Sequence, residues 1–247
     1  MSKPNICVLD TAEAIADAVA QHVARTLVAK PQATLGLATG KTFISIYASL
    51  VRHYRQEGFS FAEAASFNLD EYVGLPDGHP ASFRSYMNEN LFRHVDLPSE
   101  QAQLPGVEGD LDLACAAYEE AIKARGGIDL QLLGIGQNGH IGFNEPGSAF
   151  DSRTRMVELT ASTIAANTSD FPPGETPPGH AVTMGIGTIL EAREIVLVAL
   201  GAKKAEVLLS AFEKPASREC PASALLGHPN VTVYCDAAAS ALLSGRR

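Results

Sequence analysis

The chain alternates between short apolar runs and longer stretches in which apolar positions recur every three or four residues. Runs of strand length occur at "NICVL" (5–9), "ATLGLA" (33–38), "ASFNL" (65–69), "DLQLLGI" (129–135), "EIVLVAL" (194–200) and "VTVYC" (231–235). They are apolar nearly throughout, with little of the alternation of a half-exposed strand, which predicts strands covered on both faces. Between them, "TAEAIADAVAQHVARTLVAK" (11–30), "FISIYASLVRHYRQ" (43–56), "SFRSYMNENLFRHV" (82–95), "DLACAAYEEAIKAR" (112–125) and "AKKAEVLLSAFE" (202–213) carry the helical period. Thr11 opens the first helix with half a capping box, since Ala14 stands where a Glu would complete it, and Ser82 is an N-cap before "FRSYM".

This β-α alternation predicts an α/β fold: an open, Rossmann-like, mostly parallel sheet with helices on both faces. There is no internal repeat and no separating linker, so residues 1–247 read as a single domain, long enough at 46% hydrophobic content to bury one large core. The least regular region is 138–181, with "NEPGS" and "DFPPGETPPGH"; a stretch of this length in an α/β domain predicts a lid or binding segment.

Composition narrows the partners. With 19 Lys and Arg against 28 Asp and Glu, the net charge of −9 disfavours nucleic acid, whose phosphate backbone is met by clustered cations. "RTR" (153–155), "KK" (203–204) and the terminal "RR" read as solvated surface. Cys7, Cys115, Cys220 and Cys235 are widely spaced, with no C-x-x-C and no His at zinc-ligand spacing, so neither a metal site nor a disulfide framework is expected. No signal peptide and no 18-residue apolar run is visible, which predicts a soluble, cytoplasmic protein with no membrane partner.

In open α/β sheets, ligands sit beyond the carboxyl ends of the strands, and three strands here end in unusual polar sequence. "GLATGKT" (36–42) runs into a helix, where backbone N–H groups of Thr39 to Thr42 can converge on an anion. It is not a Walker A sequence and by itself fits an ordinary βα turn equally well; Lys41 and Thr42 favour phosphate. "FNLDEYVGL" (67–75) places Asp70 and Glu71 at the tip of a buried strand, where desolvation can raise a carboxylate towards general-base range. The competing reading is that one of the pair caps the following turn and the other faces solvent. "GIGQNGHIGFNEP" (134–146) contains G-x-G-x-x-G, but Gly142 and Pro146 interrupt the helix that a dinucleotide loop must enter. It reads better as a tight loop carrying His140 and Glu145, close enough for the carboxylate to orient the imidazole.

These segments, in this order, resemble the glucosamine-6-phosphate deaminase family, also known as glucosamine/galactosamine-6-phosphate isomerases. The similarity runs from "LGLATG" through "FNLDEYVGLPDGHPASFRSYM", "LLGIGQNGHIGFNEPGSAFDSRTR" and "AVTMGIGTILEAREIVLVALGAKKAE" to "CPASALLGHPNVTVYCD". The resemblance implies conversion of glucosamine 6-phosphate to fructose 6-phosphate and ammonia, an aldose-ketose isomerisation coupled to hydrolytic loss of the amine. It implies that Asp70 moves a proton between C2 and C1, that His140 assists ring opening, and that Glu145 pairs with His140. Phosphate is assigned to Thr39, Gly40, Lys41, Thr42 and Lys204, and no metal or organic cofactor is implied.

Three departures from the family pattern matter. Longer members carry Asp where this chain has Asn138, a residue that orients by hydrogen bonding but carries no charge, which leaves Glu145 as the negative partner of His140. Members usually have a basic residue where this chain has Ser169 and Gly where it has Lys41, so Lys41 is expected to replace the lost phosphate contact. Allosterically activated members use a basic patch after "SRTR" and a C-terminal extension; this chain has Val157 and Glu158 there and ends at Arg247. Activation by N-acetylglucosamine 6-phosphate, and the hexamer that supports it, are therefore not expected, and a monomer or small homo-oligomer is. The alternatives are galactosamine 6-phosphate as substrate, a 6-phosphogluconolactonase, or a non-catalytic sugar-phosphate sensor of the kind that follows a helix-turn-helix domain; none precedes "NICVLD".

Overall fold

Each of the six apolar runs forms a strand of one sheet. The computed structural model describes residues 4–244. The runs become β1 (Asn5–Leu9), β2 (Thr34–Leu37), β3 (Ala65–Asn68), β6 (Leu130–Gly134), β9 (Glu194–Ala199) and β10 (Val231–Asp236), and a short β5 (Ala102–Gln103) joins them. Every pairing in this seven-stranded sheet is parallel, in the order β1-β10-β9-β6-β2-β3-β5. All four positions of β2 and of β3 are buried, as a sheet covered on both faces requires. The predicted α/β class stands.

The helices follow the predicted periodicity. On α1 (Ala12–Ala29), Ile15, Val19, Val23 and Leu27 form one buried stripe, and the Thr11 hydroxyl accepts the Ala14 N–H at 3.1 Å. On α2 (Lys41–Glu57), Phe43, Ile46, Tyr47 and Leu50 are buried, and Gly58 ends the helix at φ 71°. Two predicted helices are shorter than their patterns. Ser82 caps α3 (Phe83–Asn90), but Leu91 leaves helical geometry and a single 3-10 turn covers Phe92–His94. The stretch 202–213 starts as a 3-10 turn, Ala202–Lys204, before α7 (Ala205–Phe212). The remaining helices are α4 (Leu111–Ala124), α5 (Ala161–Asn167) and α6 (Ile186–Leu190).

A second sheet was not foreseen. β4 (Asp70–Tyr72), β8 (His180–Thr183) and β7 (Arg155–Glu158) form an antiparallel three-stranded sheet in the order β4-β8-β7. Leu69 is the corner between the two sheets. Its N–H donates to Leu37 in the main sheet at 3.0 Å, and its carbonyl accepts from Met184, just beyond β8, at 2.6 Å. The region 138–181 is thus only partly irregular, holding β7, α5 and β8. Segments of four to seven residues, with Arg155 to Glu158 alternating half-buried and exposed, are too short to display a period.

Candidate active site

A cavity of about 860 Å³ opens at the carboxyl ends of β2, β6 and β9, where Thr39 to Thr42, Gly134 to Asn138 and Lys204 line it together with Asp70 and His140. Glu145 is not part of the lining; it stands behind His140. The structure therefore brings three separate strand ends to one space, as the switch geometry of an open sheet does.

At one end of the cavity, Gly40 at φ 110° turns the chain into α2, whose N-terminus has no side-chain cap and no acidic residue in its first turn. Such an end presents N–H groups and partial positive charge to an anion. Lys204 extends over the end of β6, donating from Nζ to the Ile135 carbonyl at 2.6 Å. Burial lowers its pKa, because the ammonium is short of water. Lys41 is more open: its Nζ donates to Ser169 Oγ at 2.9 Å and lies 3.0 Å from Asp170 Oδ1. Ser169 is thus in direct contact with Lys41.

The Asp-Glu pair divides its work. Glu71 accepts the N–H groups of Tyr72, Phe83 and Arg84 at 2.8–2.9 Å, so it holds the first turn of α3. Burial nevertheless raises its pKa. Asp70 is 6% exposed and its carboxylate makes no hydrogen bond with any described residue. Burial, with the Glu71 charge next to it, pushes Asp70 up to about 8. The capping reading holds for Glu71, while Asp70 faces the cavity.

The loop 134–146 is shaped by glycines for identifiable reasons. The His140 imidazole lies against Gly136, where any Cβ would come within 2.3 Å of the ring. Gly139, at φ 89°, packs on Cys220, whose Sγ would stand 2.7 Å from an added Cβ, and Gly142, at φ 56°, faces Thr183 and Asp70. Asn138 works in both directions: its Oδ1 accepts the His140 N–H at 3.2 Å, and its Nδ2 donates to Glu145 Oε2 at 2.6 Å. That same Oε2 lies 3.6 Å from His140 Nδ1, an ion-pair distance too long for a hydrogen bond, and Nδ1 has no other partner. Burial opposes the Glu145 charge, but His140, the Thr163 hydroxyl and the Asn138 amide outweigh it and hold Glu145 down to about 2. Glu145 is therefore an anion at neutral pH, and among the described residues it is the one carboxylate within ion-pair reach of His140.

Some cavity residues escaped the sequence reading. Thr163, on α5, donates to Glu145 Oε1, and Asn167 donates from Nδ2 to the Tyr72 hydroxyl at 3.1 Å. Tyr86 donates to the Gly40 carbonyl at 2.8 Å. Tyr72, Phe83, Phe143 and Phe171 build an aromatic wall with ring centroids 4.7–6.0 Å apart. The signal for α5 was present in Thr160, whose hydroxyl accepts the Thr163 N–H as an N-cap. The four cysteines are unpaired thiols, and among the described residues no three His, Cys, Asp or Glu side chains come together as a metal-holding group. No described helix is long and apolar enough to cross a membrane.

The chain is similar to known proteins over most of its length. Residues 9–234 match the family described as glucosamine-6-phosphate isomerases/6-phosphogluconolactonase. The chain is 49% identical over 215 residues to a glucosamine-6-phosphate deaminase of Geobacillus sp. (strain WCH70), a match covering 87% of this chain and 86% of that one. It is 47% identical to that of Cellvibrio japonicus (strain Ueda107), covering 97% and 91%. The solved structure of a monomeric glucosamine-6-phosphate deaminase superposes with a TM-score of 0.93 at 42% identity, over 96% of this chain and 99% of that one. The 6-phosphogluconolactonase of Trypanosoma brucei, at 20% identity and a TM-score of 0.78, shares the fold. By the length of the family match and the identity to these relatives, the chain belongs to the glucosamine-6-phosphate isomerase/6-phosphogluconolactonase family.

Proposed function

We propose that the chain converts glucosamine 6-phosphate and water to fructose 6-phosphate and ammonia. The observation that carries this reading is the unbonded Asp70 carboxyl group, buried in the same cavity as His140 and its anionic partner Glu145. The relatives named glucosamine-6-phosphate deaminase support it.

The phosphate sits on the first turn of α2, held by the N–H groups of residues 39–42 and by Lys41 and Lys204. His140, oriented by Asn138 and paired with Glu145, carries the proton from the C1 hydroxyl to the ring oxygen as the ring opens. Asp70 then takes the C2 proton and returns it at C1. The electron pair left at C2 passes through an enolamine to a C2 iminium, to which water adds as ammonia leaves, so the carbon–nitrogen cleavage is hydrolytic. An Asp70 held up to about 8 is largely protonated in the empty cavity; the substrate's C2 ammonium, brought alongside it, favours the carboxylate and so generates the base on binding. The enzyme acts as a monomer or small homo-oligomer in the cytoplasm, where its unpaired thiols stay reduced.

The test is ammonia release from glucosamine 6-phosphate, with galactosamine 6-phosphate and hydrolysis of 6-phosphogluconolactone assayed in parallel. Ammonia from the glucosamine ester alone is the expected result; preference for the galactosamine ester changes the sugar, and lactone hydrolysis without ammonia refutes the reading. Asp70→Asn abolishes turnover and keeps substrate binding. Loss of binding in that variant would instead make Asp70 a structural residue.

A further inference from the structure

At the phosphate end of the cavity an anion is already seated on the most accessible cation. Lys41 Nζ lies 3.0 Å from Asp170 Oδ1 and donates to Ser169 Oγ at 2.9 Å; that hydroxyl in turn donates to Asp170 Oδ1 at 3.3 Å. Asp170 follows α5 in the chain and lines the same cavity as Thr39, Thr42 and Lys204. The Lys41 and Asp170 side chains are 70% and 46% exposed. Ion pairs this open contribute little to folding, so stability does not account for a carboxylate placed where positive groups converge.

We propose that Asp170 sets substrate affinity by competing, as an intramolecular anion, with the substrate's phosphate for Lys41. This rests on the reading of residues 39–42 as the phosphate cradle. A dianionic phosphate on the first turn of α2 cannot share the Lys41 ammonium with a carboxylate without like-charge repulsion. Binding therefore exchanges one ion pair for another, and the Asp170 carboxylate leaves Lys41 for solvent. The exchange is open to it because Ser169 and Lys41 are the partners of its carboxylate among the described residues, and neither is buried. Asp170 is thus a tethered anion that weakens the hold of Lys41 on substrate, an affinity-determining residue that acts through Lys41.

The experiment measures KM for glucosamine 6-phosphate and the inhibition constant of inorganic phosphate for wild type, Asp170→Asn, Lys41→Gly and the double variant, at low and high salt. Asp170→Asn is expected to lower both constants about three- to tenfold at low ionic strength, with the gain shrinking as salt screens the charges. On the Lys41→Gly background the gain disappears, because there is no cation left to contest. Tighter binding is not what a merely structural Asp170 would give on removal. Unchanged or raised constants in an active Asp170→Asn enzyme overturn the inference and leave the phosphate reading intact, and a gain that persists without Lys41 overturns the route through Lys41. A wild type that neither releases ammonia nor is inhibited by phosphate overturns the underlying reading, and this inference with it.

Discussion

Asp70→Asn removes a carboxyl group that the folded chain holds protonated up to about pH 8. In the unfolded chain the same group titrates near its ordinary value of about 3.9. Between these two values the folded state binds more protons than the unfolded state, so this residue's contribution to stability falls as pH rises. From about pH 5 to about pH 8 the interval is about 3 pH units, each worth about 1.36 kcal/mol, so wild type loses about 4 kcal/mol relative to the Asn variant. That is a large share of the 5–15 kcal/mol typical of a folded domain. Below about pH 3, where Asp70 is protonated in both states, the difference between the two proteins no longer changes with pH. The chain has no Trp, so urea unfolding is followed by far-ultraviolet circular dichroism, and only the difference between the two proteins at each pH is interpreted. Acid titration of carboxylates remote from Asp70 cancels in that difference, which therefore reports Asp70 together with Glu71, whose charge is coupled to it. A difference constant to within about 0.5 kcal/mol across the interval would refute the reasoning, because it would mean that Asp70 titrates alike in both states.

Three further outcomes are expected. Asn138→Asp replaces the 2.6 Å amide contact to Glu145 with a second carboxylate, which disfavours the Glu145 anion and favours the His140 cation; the acid limb of the pH–rate profile moves up while turnover stays within about tenfold, and an unchanged profile would contradict this. Thr163→Val keeps the side chain's shape but deletes the donor to Glu145 Oε1; a hydrogen bond to a charged acceptor is worth roughly 1.5–3 kcal/mol, so Glu145 rises by about one to two pK units, seen by NMR titration of its carboxyl carbon, and an unmoved titration would show that hydroxyl to be idle. Gly136→Ala places a methyl group within 2.5 Å of three atoms of the His140 ring, so kcat drops at least about a hundredfold while the melting temperature changes little; retained kcat would show that the imidazole is free to shift.

The strands and helices that build the main sheet were legible because each is an apolar run or a periodic stretch long enough to show its pattern. The small antiparallel sheet was not. β4 has three residues, and β7 and β8 four each, and what defines them is pairing between distant segments, with Asp70 opposite Thr183 and Arg155 opposite the same Thr183. Asp70, His140, Glu145 and the 39–42 loop stood out in the sequence because charged or glycine-rich residues at strand ends are conspicuous; Lys204 did not, since "KK" reads as solvated surface and only the family resemblance pointed to it, whereas the fold lays its side chain against the cavity. Thr163 and Asn167 did not either, since "TASTIAANTSD" has a single charged residue, and its hydroxyl and amide groups gain their roles when α5 is laid against the cavity. Glu71 shows the opposite case: as visible as Asp70 in the sequence, it is committed to three backbone N–H groups, and only tertiary structure separates the two.

The turn of chain at Thr183 and Met184 touches both halves of the site from behind. Thr183 is the register partner of Asp70, and its Oγ1 accepts the Phe143 N–H at 3.1 Å. Met184 donates to the Leu69 carbonyl at 2.6 Å and accepts from Asn144 Nδ2 at 2.8 Å. These two residues therefore act as the common datum from which the position of Asp70 and that of the loop bearing His140 and Glu145 are both measured. Transplanting "DEY" and "GHIGFNEP" into another parallel sheet would carry the reacting groups without the ruler that spaces them, and the smallest portable unit of this site includes a dipeptide with no chemistry of its own.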